Sequence, residues 1–516
     1  MLANALRHHQ AGRLAEAERI YRQILATDAQ HADSLHLLGM IAYQGGKYEA
    51  AVETICKAIA IDGRQAAYHS NLGTVLQAQG KLDDAADCYA HALALNPRLA
   101  EVHVNFGNIL QAQGKLDDAA ASQQRALALK PDCAEACYNL GKARQAQGRL
   151  DEAVIGYEQA LILKPDFAKS HHNLGCVYYD LGNLTEALAR QRSALALQPD
   201  YPQARFSESL AQLAKGDFAA GWPNYEIRWR TKEHDTPMRA YPQPLWTGEK
   251  LASGRLLIWG EQGVGDEIMF AGLVPDAIRT GNRCMLDCDA RLEPLFARSF
   301  PGIDVASRRQ PGRDPEPDIV AHLPSGSLPG LFRLTDAAFG DTTSPYLMAD
   351  PAQRERFRTR YADGRRLAGL AWFTKNQKRG PYRSIDLSWL APLFARPDIR
   401  WVSLQYGDHN ELREQAAAAG APIFVDRSVD QFSDMDFFAA QIAAMDLVVT
   451  IDNSTAHLAG ALGVPVWLLL PFAPDWRWLQ ARESSPWYPG MRIFRQSKPG
   501  DWQSVVQSVC RALATV

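Results

Sequence analysis

The 516-residue sequence contains no long apolar run. Met1 to Leu25 is polar with a helical pattern and has no apolar core of a secretory signal, and no stretch reaches membrane-spanning length. A cytoplasmic protein without membrane insertion is therefore expected. A strong charge imbalance is also missing: the formal net charge is −3, which excludes whole-chain attraction to nucleic acid or to an anionic membrane. Cysteine is sparse and scattered, at 56, 88, 133, 137, 176, 284, 288 and 510. Cys133/Cys137 and Cys284/Cys288 are each four apart, but neither pair completes a four-ligand zinc pattern, so reduced thiols are expected. What remains is ordinary globular composition, 47% hydrophobic and 22% charged, in a length that suits about three domains.

The first two hundred residues repeat. Asn71-Leu72-Gly73, Asn105-Phe106-Gly107, Asn139-Leu140-Gly141 and Asn173-Leu174-Gly175 recur every 34 residues. In the same phase stand Ala85, Ala119, Ala153 and Ala187, then Ala92, Ala126, Ala160 and Ala194, then Pro97, Pro131, Pro165 and Pro199. The phase extends back through Gly39, Ala51 and Ala58, and more weakly to Ala5, Ala17 and Tyr21. Small residues at these points let two helices and the next repeat approach closely, and the proline stops the second helix. Period and positions together resemble the tetratricopeptide repeat. Six repeats are read from Met1 to about Pro199, and a degenerate seventh from Ser207 to Arg230 carries Trp222, Tyr225 and Trp229 as a stacking cap. Such arrays bind peptides or proteins and do no chemistry themselves.

Asparagine is a poor helix former, so Asn71, Asn105, Asn139 and Asn173 in one phase of the first helix call for a reason. They either suit a helix–helix edge or form a ladder whose amides hydrogen-bond the backbone of a bound chain.

Thr231 to Ser253 is rich in Pro, charge and Gly and reads as a linker. Beyond it, β-branched and apolar runs alternate with helical segments. Strands are expected at Arg255–Trp259, Cys284–Leu286, Asp304–Ala306, Asp318–Ala321, Leu367–Trp372, Trp401–Leu404, Leu447–Ile451 and Val466–Leu470, with a helix over Ile268–Arg279. The alternation implies parallel sheets in two Rossmann-like lobes that meet near Asp350 to Arg365. Ligands in such folds sit at the carboxyl ends of strands. Two loops leave such ends, 260–267 and 452–457, so they are placed to face one another.

The second loop organises the reading. After the apolar run Leu447–Ile451 come Asp452, Asn453, Ser454, Thr455 and His457, then a helix over Thr455–Leu462 closed by Gly463. Hydroxyls, a carboxylate and an imidazole gather at a helix N-terminus, where free N–H groups and the dipole suit phosphate oxygens. An ordinary, well-capped βαβ connection explains the same grammar equally well. Lys375, Lys378, Arg379 and Arg383 crowd the loop after the strand Leu367–Trp372, either to meet a leaving phosphate or as a solvated charged loop. Asp287-Cys288-Asp289 and Asp434-Met435-Asp436 look like metal-binding triplets, but chance supplies such triplets in a chain this long and the surrounding architecture is wrong for them, so no metal site is expected.

The turn Gly265-Asp266, Arg383-Ser384, Ser403-Leu404-Gln405, the run from Asp452 through Ser454-Thr455-Ala456-His457-Leu458 to Pro465, and the closing Ser485-Pro486-Trp487-Tyr488-Pro489 and Phe494-Arg495-Gln496 all point one way. The region from about Arg255 to Gln496 resembles the heptosyltransferase family of GT-B glycosyltransferases, and its fusion to repeats is similar to O-linked N-acetylglucosamine transferases and bacterial flagellin-modifying transferases. The resemblance implies metal-independent sugar transfer from a nucleotide-sugar co-substrate, with no other cofactor, to a hydroxyl of a protein acceptor. It implies Asp266 as general base; Glu267 and His322, which lie near turn and strand ends of the same lobe, are next in line. It places Asp452 against the transferred sugar and Ser454, Thr455, His457, Lys378, Arg383 and Gln405 on the donor. It matches the four asparagines to an acceptor-binding ladder. The expected division is a repeat array at 1–206, capping helices and linker at 207–253, an acceptor-side lobe at 254–350 and a nucleotide-sugar lobe at 351–516. The alternatives are a peptide-binding scaffold that has lost catalysis, or a transferase acting on a glycan or lipid-linked acceptor.

Overall fold

In the computed structural model, which describes residues 1–232, 234, 236–307, 316–340, 345–375 and 380–515, the 34-residue period becomes six helix pairs, from Leu2–Gln10 to Leu184–Leu197. The small positions have the contacts their size implies. A Cβ added at Gly39 would lie 2.7 Å from Ile55, at Gly73 2.9 Å from Tyr89, and at Gly141 2.9 Å from Tyr157. Ala51, Ala58, Ala85, Ala92, Ala153 and Ala160 are fully buried. Second helices end at Leu95, Leu129 and Leu163, two residues before Pro97, Pro131 and Pro165. The turn inside each repeat uses a glycine in the left-handed region, as at Gly46, Gly80, Gly114 and Gly148, where a side chain would be strained.

The seventh pair starts earlier than the sequence predicts, at Pro202–Lys215, with Pro202 in the first turn, and continues through Phe218–Tyr225 into a short 3-10 helix at Glu226–Arg230. The chain divides into two compact units, residues 1–178 with 193–199, and residues 179–192 with 200–516. The seventh pair thus belongs with the α/β region rather than with a separate segment at 207–253. Its aromatics explain why: Trp222 meets Trp476 and Trp487 edge-on at 5.4 and 6.4 Å, and donates to the Arg333 carbonyl at 2.9 Å. Arg228 and Glu261, both fully buried, pair at 2.8 Å. The expected linker is likewise packed in part. Trp246 is buried, and its N–H donates to the His322 carbonyl at 2.9 Å while the His322 N–H donates to the Pro244 carbonyl.

The α/β region is two parallel sheets. β1 (Arg255–Trp259), β2 (Arg283–Cys288), β3 (Asp304–Ser307) and β4 (Ile319–Pro324) are ordered β3-β2-β1-β4. β5 (Arg366–Ala371), β6 (Ile399–Ser403), β7 (Ile423–Phe424), β8 (Leu447–Ile451), β9 (Val466–Leu470) and β10 (Met491–Arg495) are ordered β10-β9-β8-β5-β6-β7. Central strands β8 and β9 are buried throughout, as continuous apolar runs require. This is an α-solenoid followed by an α/β region of GT-B type with two Rossmann-like lobes. The sequence reading misses β7 and β10. It also reads as one helix what Gly272 and Pro275 divide into Val264–Ala271 and Val274–Arg279. The junction at 350–365 contains the helix Pro351–Tyr361, capped by the Asp350 carboxylate on the Gln353 N–H.

Candidate functional site

The helix Val264–Ala271 follows β1, and the helix Ser454–Ala461 follows β8. The two pack N-terminus against N-terminus. Gly265 permits it: a Cβ there would lie 3.2 Å from the His457 ring and 3.6 Å from the Ser454 Cα. The second helix begins one residue earlier than the sequence predicts, and its cap is Asn453. The Asn453 side chain accepts from the Ala456 N–H at 3.2 Å and from the Thr450 hydroxyl at 3.1 Å. Thr455 is buried and Ser454 partly exposed at the first turn, where backbone N–H groups lack intrahelical partners.

Charged groups link the two loops in alternation. Asp452 pairs with Arg383 at 2.9 Å, and Arg383 reaches Asp475 at 3.2 Å. Asp475 pairs with Arg477 at 2.6 Å, and Arg477 pairs with Asp266. Asp266 also accepts from the Gly263 N–H at 3.2 Å, closing the first turn of its own helix. Five groups, three carboxylates and two guanidiniums, thereby run from one lobe to the other. Arg477 also lies over the Trp476 ring at 4.5 Å and reaches the Gln262 side chain at 3.4 Å. Gln262 has a φ of 62° and Leu479 one of 53°, the left-handed region that non-glycine residues avoid unless their surroundings impose it.

His457 sits beneath this chain. It is buried, stacks on Trp478 with centroids 4.9 Å apart, and shares a 2.9 Å hydrogen bond between Nδ1 and the Tyr488 hydroxyl. Burial pulls its pKa down from 6.5 to about 4, with Arg477 adding to the effect and Asp452, Asp266 and Asp475 opposing it. The imidazole is therefore neutral near pH 7. A Cβ on Gly460 would lie 2.6 Å from Tyr488, so the glycine makes room for the tyrosine that orients the ring.

Gln405 is buried and its amide is fully used. Its oxygen accepts from the Trp372 and Phe373 N–H groups at 2.9 and 3.0 Å, and its nitrogen donates to the Phe373 and Tyr406 carbonyls at 3.1 and 3.2 Å. It braces the loop after β5 and has no capacity left for a donor. Lys378 and Arg379 lie outside the described residues. The reserve bases are closed off: Glu267 is buried and accepts from the Asp289 N–H at 2.7 Å, and His322 is buried against Trp259, whose indole donates to it at 3.2 Å. Asp287 pairs with Arg239 and Asp289 with Arg291, while Asp434 caps a helix and Asp436 pairs with Arg298. Among the described residues, no group of three His, Cys, Asp or Glu side chains is placed to hold a metal ion. Asp475 and Arg477 are the residues the sequence reading overlooks. Their only local signal is the tryptophan-dense run Asp475-Trp476-Arg477-Trp478.

In the repeat unit the four asparagines differ. The Asn71 amide is 2.7 Å from His36 Nε2. Asn173 donates to the Tyr138 hydroxyl at 3.0 Å and the Tyr157 hydroxyl at 3.5 Å. Asn139 is buried and Asn105 partly exposed. Asn71 and Asn173 thus join one repeat to the one before it.

Profiles described as tetratricopeptide repeat match residues 8–72, 64–132, and 104–168 with 172–221. The chain is 32% identical over 333 residues to Protein FlbA of Caulobacter vibrioides, which covers 60% of this chain and 54% of that protein. The chain thus spans about half the length of the curated relative it matches. Among solved structures, YrrB, described as a TPR protein with an unusual peptide-binding site, is 22% identical with a TM-score of 0.34, covering 37% of this chain and 98% of that one. PilW, described as a type IV pilus biogenesis factor, is 21% identical with a TM-score of 0.36, covering 39% and 91%. No helix among the described residues is long and apolar enough to cross a membrane.

Proposed function

We propose that the chain is a glycosyltransferase that moves a sugar from a nucleotide-sugar donor to a hydroxyl of a protein acceptor bound by the repeats. One observation carries this reading. A helix N-terminus at a strand carboxyl end, two guanidiniums and a neutral buried imidazole converge where a carboxylate from the other lobe also arrives. Departure of the nucleotide phosphate from the sugar develops negative charge, which N–H dipoles and arginines stabilise, and the acceptor hydroxyl must lose a proton.

In this reading the Ser454 and Thr455 turn holds phosphate oxygens. Arg383 and Arg477 supply the positive charge that a metal supplies elsewhere, so the reaction is metal-independent. Asp452 faces the sugar. The acceptor oxygen bonds to the anomeric carbon as the carbon–phosphate-oxygen bond breaks, and Asp266 takes the proton. The ion pair with Arg477 gives this assignment a further property: a donor phosphate that draws Arg477 away leaves Asp266 unpaired, so base and donor act together.

A second reading has one observation in its favour. Asp266 and Asp452 are both already ion-paired, as they would be in a scaffold that has lost catalysis. The test is a thermal-shift screen across nucleotides, followed by donor hydrolysis. A bound nucleotide at about 100 times its Kd stabilises by roughly 2.7 kcal/mol. Expected are a shift with at least one nucleotide, its weakening in Asp452→Ala and His457→Ala, and loss of turnover with donor affinity retained or raised in Asp266→Asn, which removes a competitor for Arg477. No shift and no nucleotide release with any common donor would favour the scaffold.

A further inference from the structure

A second cluster of guanidiniums lies apart from this cleft. A cavity of about 680 Å³ beside the edge strand β10 is lined by Arg482, Arg492, Arg495 and Arg511, with Glu483 as the single lining carboxylate. Arg482 is paired with Asp336. The other three have no carboxylate partner among the described residues. Arg495 is the most telling. Its Nε donates to the Arg482 carbonyl at 3.2 Å and its Nη2 to the Trp478 carbonyl at 2.6 Å, while its Nη1 is buried without a hydrogen-bond partner. Among the described residues Arg511, on the helix Trp502–Leu513, donates to the Ser508 hydroxyl alone, at 2.9 Å. Arg492 lies over the Phe494 ring at 4.9 Å.

A guanidinium withdrawn from water needs an anion or a full set of acceptors. Here two carbonyl dipoles do part of that work, and burial without compensating charge pulls Arg495 down to about 10. Two more guanidiniums, of Arg492 and Arg511, line the same cavity. Planar guanidinium forks match phosphate oxygens in pairs, and the cavity is of small-molecule size.

We propose that the arginine-lined cavity beside β10 is a second anion site, which takes a phosphate-bearing ligand on Arg492, Arg495 and Arg511. None of these residues belongs to the cleft described above, so the site stands whatever that cleft binds. The ligand's phosphate comes from a free small molecule or from a lipid headgroup, and the experiment separates the two. Inorganic pyrophosphate is titrated calorimetrically into the full chain, the Arg492→Gln/Arg511→Gln variant and, as the control for the other cleft, Arg383→Gln. In parallel, each protein is floated with phosphatidylcholine vesicles with and without phosphatidic acid. Both rim arginines lie at the surface, so the double variant keeps its fold, which its thermal midpoint verifies. Expected is a loss of at least tenfold in affinity for pyrophosphate, or for phosphatidic acid vesicles, in the double variant, with that binding retained in Arg383→Gln. The proposal is overturned if neither probe binds the full chain, if the double variant binds as the full chain does, or if Arg383→Gln removes the binding instead.

Discussion

Acid should unfold the second unit through His457. The imidazole is neutral and buried when folded, with a pKa lowered from 6.5 to about 4. The unfolded chain therefore binds a proton that the folded one refuses, so the contribution is fully present above 6.5 and is lost as pH falls towards 4. One pKa unit is worth about 1.4 kcal/mol, so the loss is roughly 2 kcal/mol by about pH 5 and about 3 kcal/mol over the whole window. Carboxylates titrate in the same range, so the quantity that isolates His457 is the stability gap between the wild type and His457→Gln. All twelve tryptophans lie between Trp222 and Trp502, inside the second unit, so urea unfolding followed by tryptophan fluorescence reports that unit alone. The gap should move against the wild type by roughly 2 kcal/mol between neutral pH and about pH 5. A gap that stays constant within a few tenths of a kcal/mol would mean the ring titrates as if exposed, and the placement of His457 beneath Trp478 would be refuted.

Three further outcomes are expected. Gly265→Val, by thrusting methyl groups at His457 and Ser454, should weaken donor binding about tenfold, or about 1.4 kcal/mol, and lower the stability of the second unit by about 1–3 kcal/mol; unchanged affinity would separate Gly265 from the site. Replacing Asn71, Asn105, Asn139 and Asn173 together by Ala should cut use of a protein acceptor about tenfold or more and leave acceptor-free donor hydrolysis alone. Because Asn71 and Asn173 also bridge repeats, the array should lose about 1 kcal/mol for each of those two, measured by circular dichroism, where the poor helix propensity of asparagine alone would give a gain. Turnover should survive EDTA, and loss restored by manganese or magnesium would overturn metal independence.

The repeat array was legible because its signal is redundant: glycine, alanine and proline positions agree at one period, and each has a steric counterpart such as Tyr89 against Gly73. Strands β8 and β9 were legible because both faces are buried and their sequences are apolar but for Thr450. β10 was not, since Met491-Arg492-Ile493-Phe494-Arg495 is an edge strand whose charged residues break the run. Asp452 and His457 stand in one short stretch with helix-capping grammar. Arg477 does not: it meets Asp266 across 211 positions of sequence, and no local pattern encodes that encounter. Gln405 is the opposite case. A glutamine after a strand is equally suited to a ligand or to its own backbone, and only the folded loop shows which partners arrive first.

The alternation of Asp452, Arg383, Asp475, Arg477 and Asp266 means that the cleft supplies its own competitor. An incoming phosphate does not settle into vacant positive charge; it exchanges places with carboxylates already there. Added salt weakens both the old partnership and the new one, since screening acts on each alike. Donor affinity should therefore respond to ionic strength far less than the count of arginines suggests. Discrimination should rest on whichever anion satisfies the two guanidinium forks better than a carboxylate does.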